Sequence, residues 1–318
     1  MASEAFKKIG IIGFGEVGGI FGRDLAARGI DVAIYDILLR DQSSREAMLA
    51  KASDCRVHAR ESLRECVGDR ELVISAVTAS SAAEVAESAA PLLSAGQTFL
   101  DINSVSPETK SRMAQRFERV GSNGGHFVEA AVMAAVAPKR LKVPMLLGGK
   151  YAAEFALQLA AIGMSGKAVG EQIGVASAVK MCRSVIIKGL EALVVESMFA
   201  ARRYGAEEAV LASLAATYPD MGWQAGLPDY LIGRVAEHGR RRAAEMREAA
   251  QAVSDVGIDP HMARATAARQ DWLADEIAAH GLKDHAGKDF SWRALARAGG
   301  RDLQGIHVWQ AALSDCLR

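Results

Sequence analysis

The chain has 318 residues, half of them apolar, and sets 38 lysines and arginines against 38 aspartates and glutamates. Such a length and apolar content suffice for two domains, each with a core of its own. A formal charge of zero excludes the basic footprint of a nucleic-acid binder and an acidic tail, which leaves a small-molecule substrate and further copies of the chain as the expected partners.

The first apolar run is "KIGIIGFGEVGG", residues 8–19. Residues 8–12 read as a buried parallel strand, and Gly19 to Arg28 carries Ile20, Phe21, Leu25 and Ala26 at helical spacing. Between them Gly13, Gly15 and Gly18 stand in the spacing GxGxxG. Gly29 stops the helix, and "DVAIYD" (31–36) reads as a second strand ending in Asp36. That aspartate follows Gly18 by 18 residues, close to the roughly 20 of a dinucleotide fingerprint. The unit is βαβ, and its glycines divide the physical work: Gly13 makes the tight turn, Gly15 lets backbone approach a pyrophosphate, and Gly18 lets helix pack on strand. The N–H groups near Glu16 and Val17 would meet that pyrophosphate at the positive end of the helix. Tyr35 and Asp36 fall where the adenosine ribose lies; the charge of Asp36 repels a 2′-phosphate and favours NAD, whereas Arg40 has the reach to accept the 2′-phosphate of NADP.

Strand candidates follow at 71–77, 97–103, 126–132, 143–149 and 167–170, with helices expected at 43–53, 81–93, 107–119 and 151–163. Ser106-Pro107-Glu108 is a clear helix start, with a hydroxyl cap, proline at the first position and an early acidic residue. Alternation of this kind predicts a Rossmann domain over 1–170, a doubly wound parallel sheet. Val77 and Thr78, at the end of the 71–77 strand, and Asn103, at the end of the 97–103 strand, are expected in its cofactor crevice.

The strand signal then disappears, and 171–318 reads as an all-helical domain for substrate binding and dimerisation. A long helix runs from about 172 to 203. Val175, Val179, Cys182, Ile186, Leu190 and Leu193 form an apolar stripe along it, while Lys180, Ser184, Lys188 and Glu191 line another face. Spacing alone makes that second face a solvated one, but Lys180 lies just beyond the sheet, where a ligand at the carboxyl edge would meet it. A turn-rich stretch, "YPDMGWQAGLPDY", and alanine-rich helical patterns complete the chain. In "EHGRRRAAEMRE" His238, Arg241 or Arg242, and Glu245 share one face.

Seven histidines and four cysteines (Cys55, Cys66, Cys182, Cys316) show no metal-ligand spacing, so no metal is expected; His280 and His285 read as exposed loop residues. The early Lys7-Lys8 pair reads as the start of a strand and not of a leader. The most apolar later stretch, 184–195, contains Lys188 and Glu191, short of the roughly 18 uncharged residues of a membrane span. A cytoplasmic protein with no membrane partner is expected. The alanine-rich apolar helices exceed what one small domain needs for its own cover, which points to a homodimer.

Four stretches carry a resemblance to the β-hydroxyacid dehydrogenases, the group of 3-hydroxyisobutyrate, tartronate semialdehyde and, more distantly, 6-phosphogluconate enzymes. "IGIIGFGEVGGIFGRDLAARG" resembles the family's N-terminal signature, "FLDINSVSPETK" its Asp-x-Ser-Thr-x-x-Pro segment, and "HFVEAAVMAAVAP" its Asp-x-Pro-Val-Ser-Gly-Gly loop. "GVASAVKMCRS" is similar to Gly-x-Gly-x-x-x-Lys-x-x-Asn-Asn, and its lysine falls on Lys180. The remainder resembles the C-terminal domain of phosphogluconate-dehydrogenase-like proteins. Where the family grips a substrate carboxylate with Ser-Gly-Gly this chain has Met133-Ala134-Ala135, and Arg183-Ser184 replaces the paired asparagines, so the substrate corner is more apolar.

The resemblance implies hydride transfer between nicotinamide and the carbinol carbon of a hydroxyacid or related alcohol, with Lys180 moving the hydroxyl proton and Asn103 and Ser104 standing beside the nicotinamide. Burial and neighbouring Arg183 would push its amine toward the pH range where such exchange is efficient. An arginine at 241 or 242, with His238, would restore the anion grip lost at 133–135. Three alternatives stand beside this: reduction of an imine on the same architecture, oxidative decarboxylation of a sugar acid, and a regulatory module that binds NAD without chemistry.

Overall fold

The computed structural model describes residues 6–119, 125–282 and 290–298. His285 and Cys316 lie outside them. The chain divides into two compact units, Met1–Met181 and Cys182–Arg318.

The first unit follows the expected alternation. It runs β1 (Lys8–Ile12), α1 (Glu16–Ala26), β2 (Asp31–Tyr35), α2 (Gln42–Cys55), β3 (His58–Ala59), α3 (Leu63–Val67), β4 (Leu72–Ser75) and α4 (Ala82–Ala89). Then come β5 (Thr98–Asp101), α5 (Pro107–Arg119), β6 (His126–Val132), α6 (Val136–Lys139), β7 (Met145–Gly148), α7 (Ala152–Ala161) and β8 (Gly166–Gly170). The strands form one sheet of eight, in the order β3-β2-β1-β4-β5-β6-β7-β8. Helices cover central strands on both faces, which is why consecutive residues of β1 and β4, Ile9, Ile11, Ile12, Val73 and Ile74 among them, are buried whichever way they point. Strand order reverses between β1 and β4, and such a switch point opens a crevice at the carboxyl edge of the sheet.

Two strand expectations need correction. The sheet is mainly, not wholly, parallel: β6 pairs with β7 antiparallel, with Glu129 opposite Gly148. Residues 133–144 hold only the single turn of α6 and a 3-10 turn, too little helix to recross the sheet. The two-residue β3 and the short α3 were not expected, because neither is long enough to show a period.

Local signals explain the helix starts. Ser106 Oγ accepts from Thr109 N at 3.2 Å at the head of α5, and Asp41 Oδ1 accepts from Ser43 N at 3.1 Å at the head of α2. Under the sheet, Phe99, Phe117 and Phe127 form an aromatic cluster with ring centroids 5.4 to 5.9 Å apart.

Helix α8 (Val175–Arg203) spans the division between units and is followed by α9 (Glu207–Thr217), α10 (Leu227–Ser254), α11 (His261–Ala279) and α12 (Trp292–Ala298). The second unit is helical among the described residues, with Val195, Met198, Ile232, Val235, Leu273 and Trp292 in its core. Helices α10 and α11 pack closely at Gly239, where a Cβ would stand 2.8 Å from the Gln270 carbonyl oxygen. Residues 227–230, expected in a turn, already belong to α10.

The expected orientation of α8 is reversed. Of its apolar stripe, Ile186 is 73% exposed, Leu193 54% and Val179 46%, and Cys182 is exposed, while Ser184, Lys188 and Glu191 are buried. The charged side chains sit inside because each finds a charged partner on α10. Lys188 Nζ donates to Glu245 Oε2 at 2.5 Å, and Arg242 donates through two nitrogens to Glu191. No described helix is long and apolar enough to cross a membrane.

Candidate active site

The glycine loop stands between β1 and α1, as its spacing requires. Gly13 has φ of +89°, and a Cβ there would press on the Ala76 carbonyl and on Val77, so the turn admits glycine alone. A Cβ at Gly18 would strike the Gly13 carbonyl oxygen, whereas one at Gly15 would meet nothing within 4 Å. Gly15 and Glu16 are exposed and Val17 is half-buried. Gly15 is the N-cap residue of α1, and the helix start has no side-chain cap among the described residues. Open space before an uncapped helix N-terminus fits the pyrophosphate of a dinucleotide.

Asp36 does more than its position suggests. Its Oδ2 accepts from Phe14 N at 2.6 Å and its Oδ1 from Leu38 N at 3.0 Å, tying the glycine loop to the end of β2. Gly13 N donates to the Tyr35 carbonyl at 2.9 Å. Arg40 is exposed, with its guanidinium carbon 5.6 Å from the Tyr35 ring centroid. Lys51, which sequence reasoning missed, donates to the carbonyls of Phe14 (2.5 Å) and Gly15 (2.8 Å). Its signal was available: Lys51 stands at helical spacing among Met48, Ala52 and Cys55, the buried stripe of α2.

Register brings the remaining loops to the same edge. Ile12 pairs with Ser75 and Ser75 with Asp101, so the residues after β1, β4 and β5 emerge side by side. Thus Val77 is half-buried against Gly13, while Thr78 is exposed and bonded to Ser80 and Ser81 at 3.0 Å. Asn103 is buried; its Nδ2 donates to Ser75 Oγ at 2.9 Å and to Asp101. Asp101 is in turn ion-paired with Lys110, both side chains being fully buried, and Lys110 Nζ also donates to the Asp101 carbonyl at 2.9 Å. Lys110 is the second missed lysine, and it shares the buried stripe of α5 with Met113, Ala114 and Phe117.

Lys180 stands within this first unit. Its Nζ donates to Ser104 Oγ at 2.5 Å, and both residues are half-buried. The first turn of α8, which carries it, is held by Glu129 of β6. Glu129 Oε1 accepts from Gly174 N at 2.7 Å and Ala176 N at 3.1 Å, and Oε2 accepts from Ser177 Oγ at 2.9 Å. A carboxylate in the middle of an apolar strand was the signal for Glu129. Beyond β6, Met133 and Ala134 are half-buried and Ala135 is exposed. They lie at the same edge as Ser104 because β6 runs parallel to β5.

The candidates from the second half of the chain belong to the other unit. Ser184 is buried. His238 lies 3.4 Å from Glu237, and burial holds its imidazole below the usual range. Arg241 is exposed, 3.8 Å from Glu245. Arg242 departs from the expectation of an anion grip: it is buried and its forked donors are taken up by Glu191, one of them at 2.8 Å. Burial pushes the Lys188 amine down and the Glu191 carboxyl up.

The family described as the NAD binding domain of 6-phosphogluconate dehydrogenase matches residues 8–169, and a domain of unknown function, DUF1932, matches residues 201–273. A conserved hypothetical protein from Sinorhizobium meliloti 1021, known by crystal structure, is 36% identical with a TM-score of 0.78, over 94% of this chain and 98% of its own. The conserved protein MTH1747, of unknown function and structurally similar to 3-hydroxyacid dehydrogenases, is 32% identical with a TM-score of 0.69, over 84% of this chain and 97% of its own. A 3-hydroxyisobutyrate dehydrogenase from Mycobacterium tuberculosis, solved with L-serine, shares the fold at 16% identity and a TM-score of 0.66, over 92% of this chain and 98% of its own.

Proposed function

The chain belongs to the β-hydroxyacid dehydrogenase-like family, with the NAD-binding domain of 6-phosphogluconate dehydrogenase and a helical C-terminal region, and from that membership we propose a cytoplasmic NAD(P)-dependent oxidoreductase acting on a hydroxyacid or a related alcohol and its carbonyl. The observation that carries this reading is the Lys180 amine bonded at 2.5 Å to Ser104, in the unit that bears the dinucleotide loop.

Gly13, Gly15 and Gly18, with the N–H groups at Glu16 and Val17, would hold the pyrophosphate. Tyr35 and Asp36 would take the adenosine ribose, Val77 and Thr78 the wall beyond it, and Asn103 the nicotinamide side. A bound nicotinamide supplies or accepts a hydride. In reduction, the Lys180 ammonium donates its proton to the carbonyl oxygen as negative charge grows there; in oxidation, the neutral amine takes the hydroxyl proton. Ser104 fixes the direction of the amine. Asn103 cannot swing freely, because Asp101 and Ser75 hold its amide.

Met133, Ala134 and Ala135 line the substrate corner with apolar groups, which favours a substrate with a small charged part or none. Imine reduction is therefore the second reading, since an uncharged C=N group suits such a wall and the same lysine could protonate it. The test is a panel of hydroxyacids, alcohols, aldehydes and imines followed at the reduced-nicotinamide absorbance with parent and Lys180→Met. Turnover on alcohol or carbonyl substrates that Lys180→Met loses supports the proposal. Turnover on imines alone selects the second reading, and binding of NADH without turnover on any class contradicts both.

The exposed stripe of Val179, Ile186 and Leu193 on α8 supports assembly of two copies through this helix, as apolar patches commonly mark such contacts. Sedimentation of the parent and of Ile186→Glu checks it: a dimer converted to monomer is expected, and a monomeric parent contradicts it.

A further inference from the structure

Glu129 is fully buried in the middle of an apolar strand. Hydrophobic residues of similar size ordinarily fill such a position without the cost of taking a carboxylate out of water. A second position is given over to the same group: Gly148, paired with Glu129 across β6 and β7, has no side chain, and a Cβ there would collide with the Glu129 carboxyl. Among the described residues, the hydrogen bonds that the Glu129 carboxylate accepts come from the start of α8, at Gly174, Ala176 and Ser177.

Two of those donors, Gly174 N and Ala176 N, are orphan backbone groups of a helix N-terminus, and satisfying them fixes where the helix begins; the third is the Ser177 hydroxyl. Lys180 lies four residues after Ala176 and three after Ser177, so it stands on the same face, one turn further along. The start of α8 is gripped from α5 as well. Gly174, with φ of +102°, packs against the Pro107 carbonyl, and Ser111 Oγ donates to the Ile173 carbonyl at 3.2 Å. Meanwhile Ser104, the partner of Lys180, follows β5, where Asp101 holds Asn103 and Lys110. Asp101 and Glu129 are register partners in neighbouring strands. Two adjacent buried carboxylates thus hold the two sides of the Lys180–Ser104 contact, one fixing the loop and the other the helix.

We propose that Glu129 is a positioning residue for Lys180, setting the place of its amine by clamping the first turn of α8. The proposal rests on the reading of Lys180 as the proton donor, so its test needs a readout independent of turnover. Pulse acetylation of lysines across pH, read by peptide mass spectrometry, reports the environment of each amine without substrate. Fully buried Lys110 serves as the internal gauge of an intact fold. Glu129→Gln keeps the size but loses an acceptor, Glu129→Asp falls short of the helix, and Gly148→Ala displaces the carboxyl without removing it.

In all three variants the pH–labelling curve of Lys180 is expected to shift while that of Lys110 and the NADH affinity stay as in the parent. Turnover should fall about 10- to 100-fold, in kcat and not in the cofactor KM, the cost of a misplacement of about 1 Å. An unchanged Lys180 curve overturns the proposal. So does a joint rise at Lys180 and Lys110 with a collapsed melting temperature, which marks Glu129 as merely structural. A selective Lys180 shift in the variants, together with a parent that turns over no substrate, sustains the positioning and contradicts the proposed activity instead.

Discussion

Both units bury charged side chains, but to different ends. In the sheet unit, Asp101 pairs with Lys110 and also holds the Asn103 amide, Glu129 faces backbone N–H and hydroxyl donors, and what they hold is local: the Asn103–Ser104 loop and the first turn of α8. In the helical unit, Glu191 meets Arg242 and Lys188 meets Glu245, side chain to side chain, joining α8 to α10. The first arrangement fixes the geometry of a few atoms at the crevice; the second fixes which face of one helix meets another. Buried ionic groups are costly in either place, so neither set is an efficient source of stability by itself.

Substitutions break this comparison in descending order of effect. Lys180→Met should lower turnover by about 10²–10⁴-fold with cofactor affinity retained, as measured by steady-state kinetics and NADH fluorescence titration. Removal of one member of a buried pair, as in Asp101→Leu or Glu191→Leu, leaves Lys110 or Arg242 uncompensated and should destabilise the protein by about 3–5 kcal/mol in denaturant titration. The double variants then separate the two units. Glu191→Leu with Arg242→Met should recover most of the stability and the turnover, whereas Asp101→Leu with Lys110→Met should recover stability only, because Asn103 then keeps only its bond to Ser75. Equal turnover in the two double variants would remove the distinction. Smallest is Arg40→Ala, expected to weaken NADPH about tenfold and leave NADH unchanged; an equal effect on both cofactors would place Arg40 outside the 2′-phosphate site.

The βαβ unit and its glycines were legible because their signals are local: strand period, helix stop and an acidic strand end lie within 36 residues. The rest depended on partners far along the chain. Lys188 meets a residue 57 positions away and Arg242 one 51 positions away, so the polar face of α8 read as solvated when it is the buried one. The exposed apolar stripe was inverted for the same reason. Lys51 and Lys110 were detectable in principle, as cations standing on the buried stripe of a helix, and Glu129 as a carboxylate within an apolar strand. The antiparallel β7 was not, since its direction follows from the short path of 133–144 and not from its composition.

The most direct measurement is a crystal structure with NADH or NADPH and a carbonyl inhibitor bound. The expected result is Lys180 Nζ within hydrogen-bond reach of the inhibitor oxygen, with Ser104 still bonded to it and the nicotinamide C4 on the other side of the carbonyl. A nicotinamide lying at this edge with the amine turned out into solvent would contradict it.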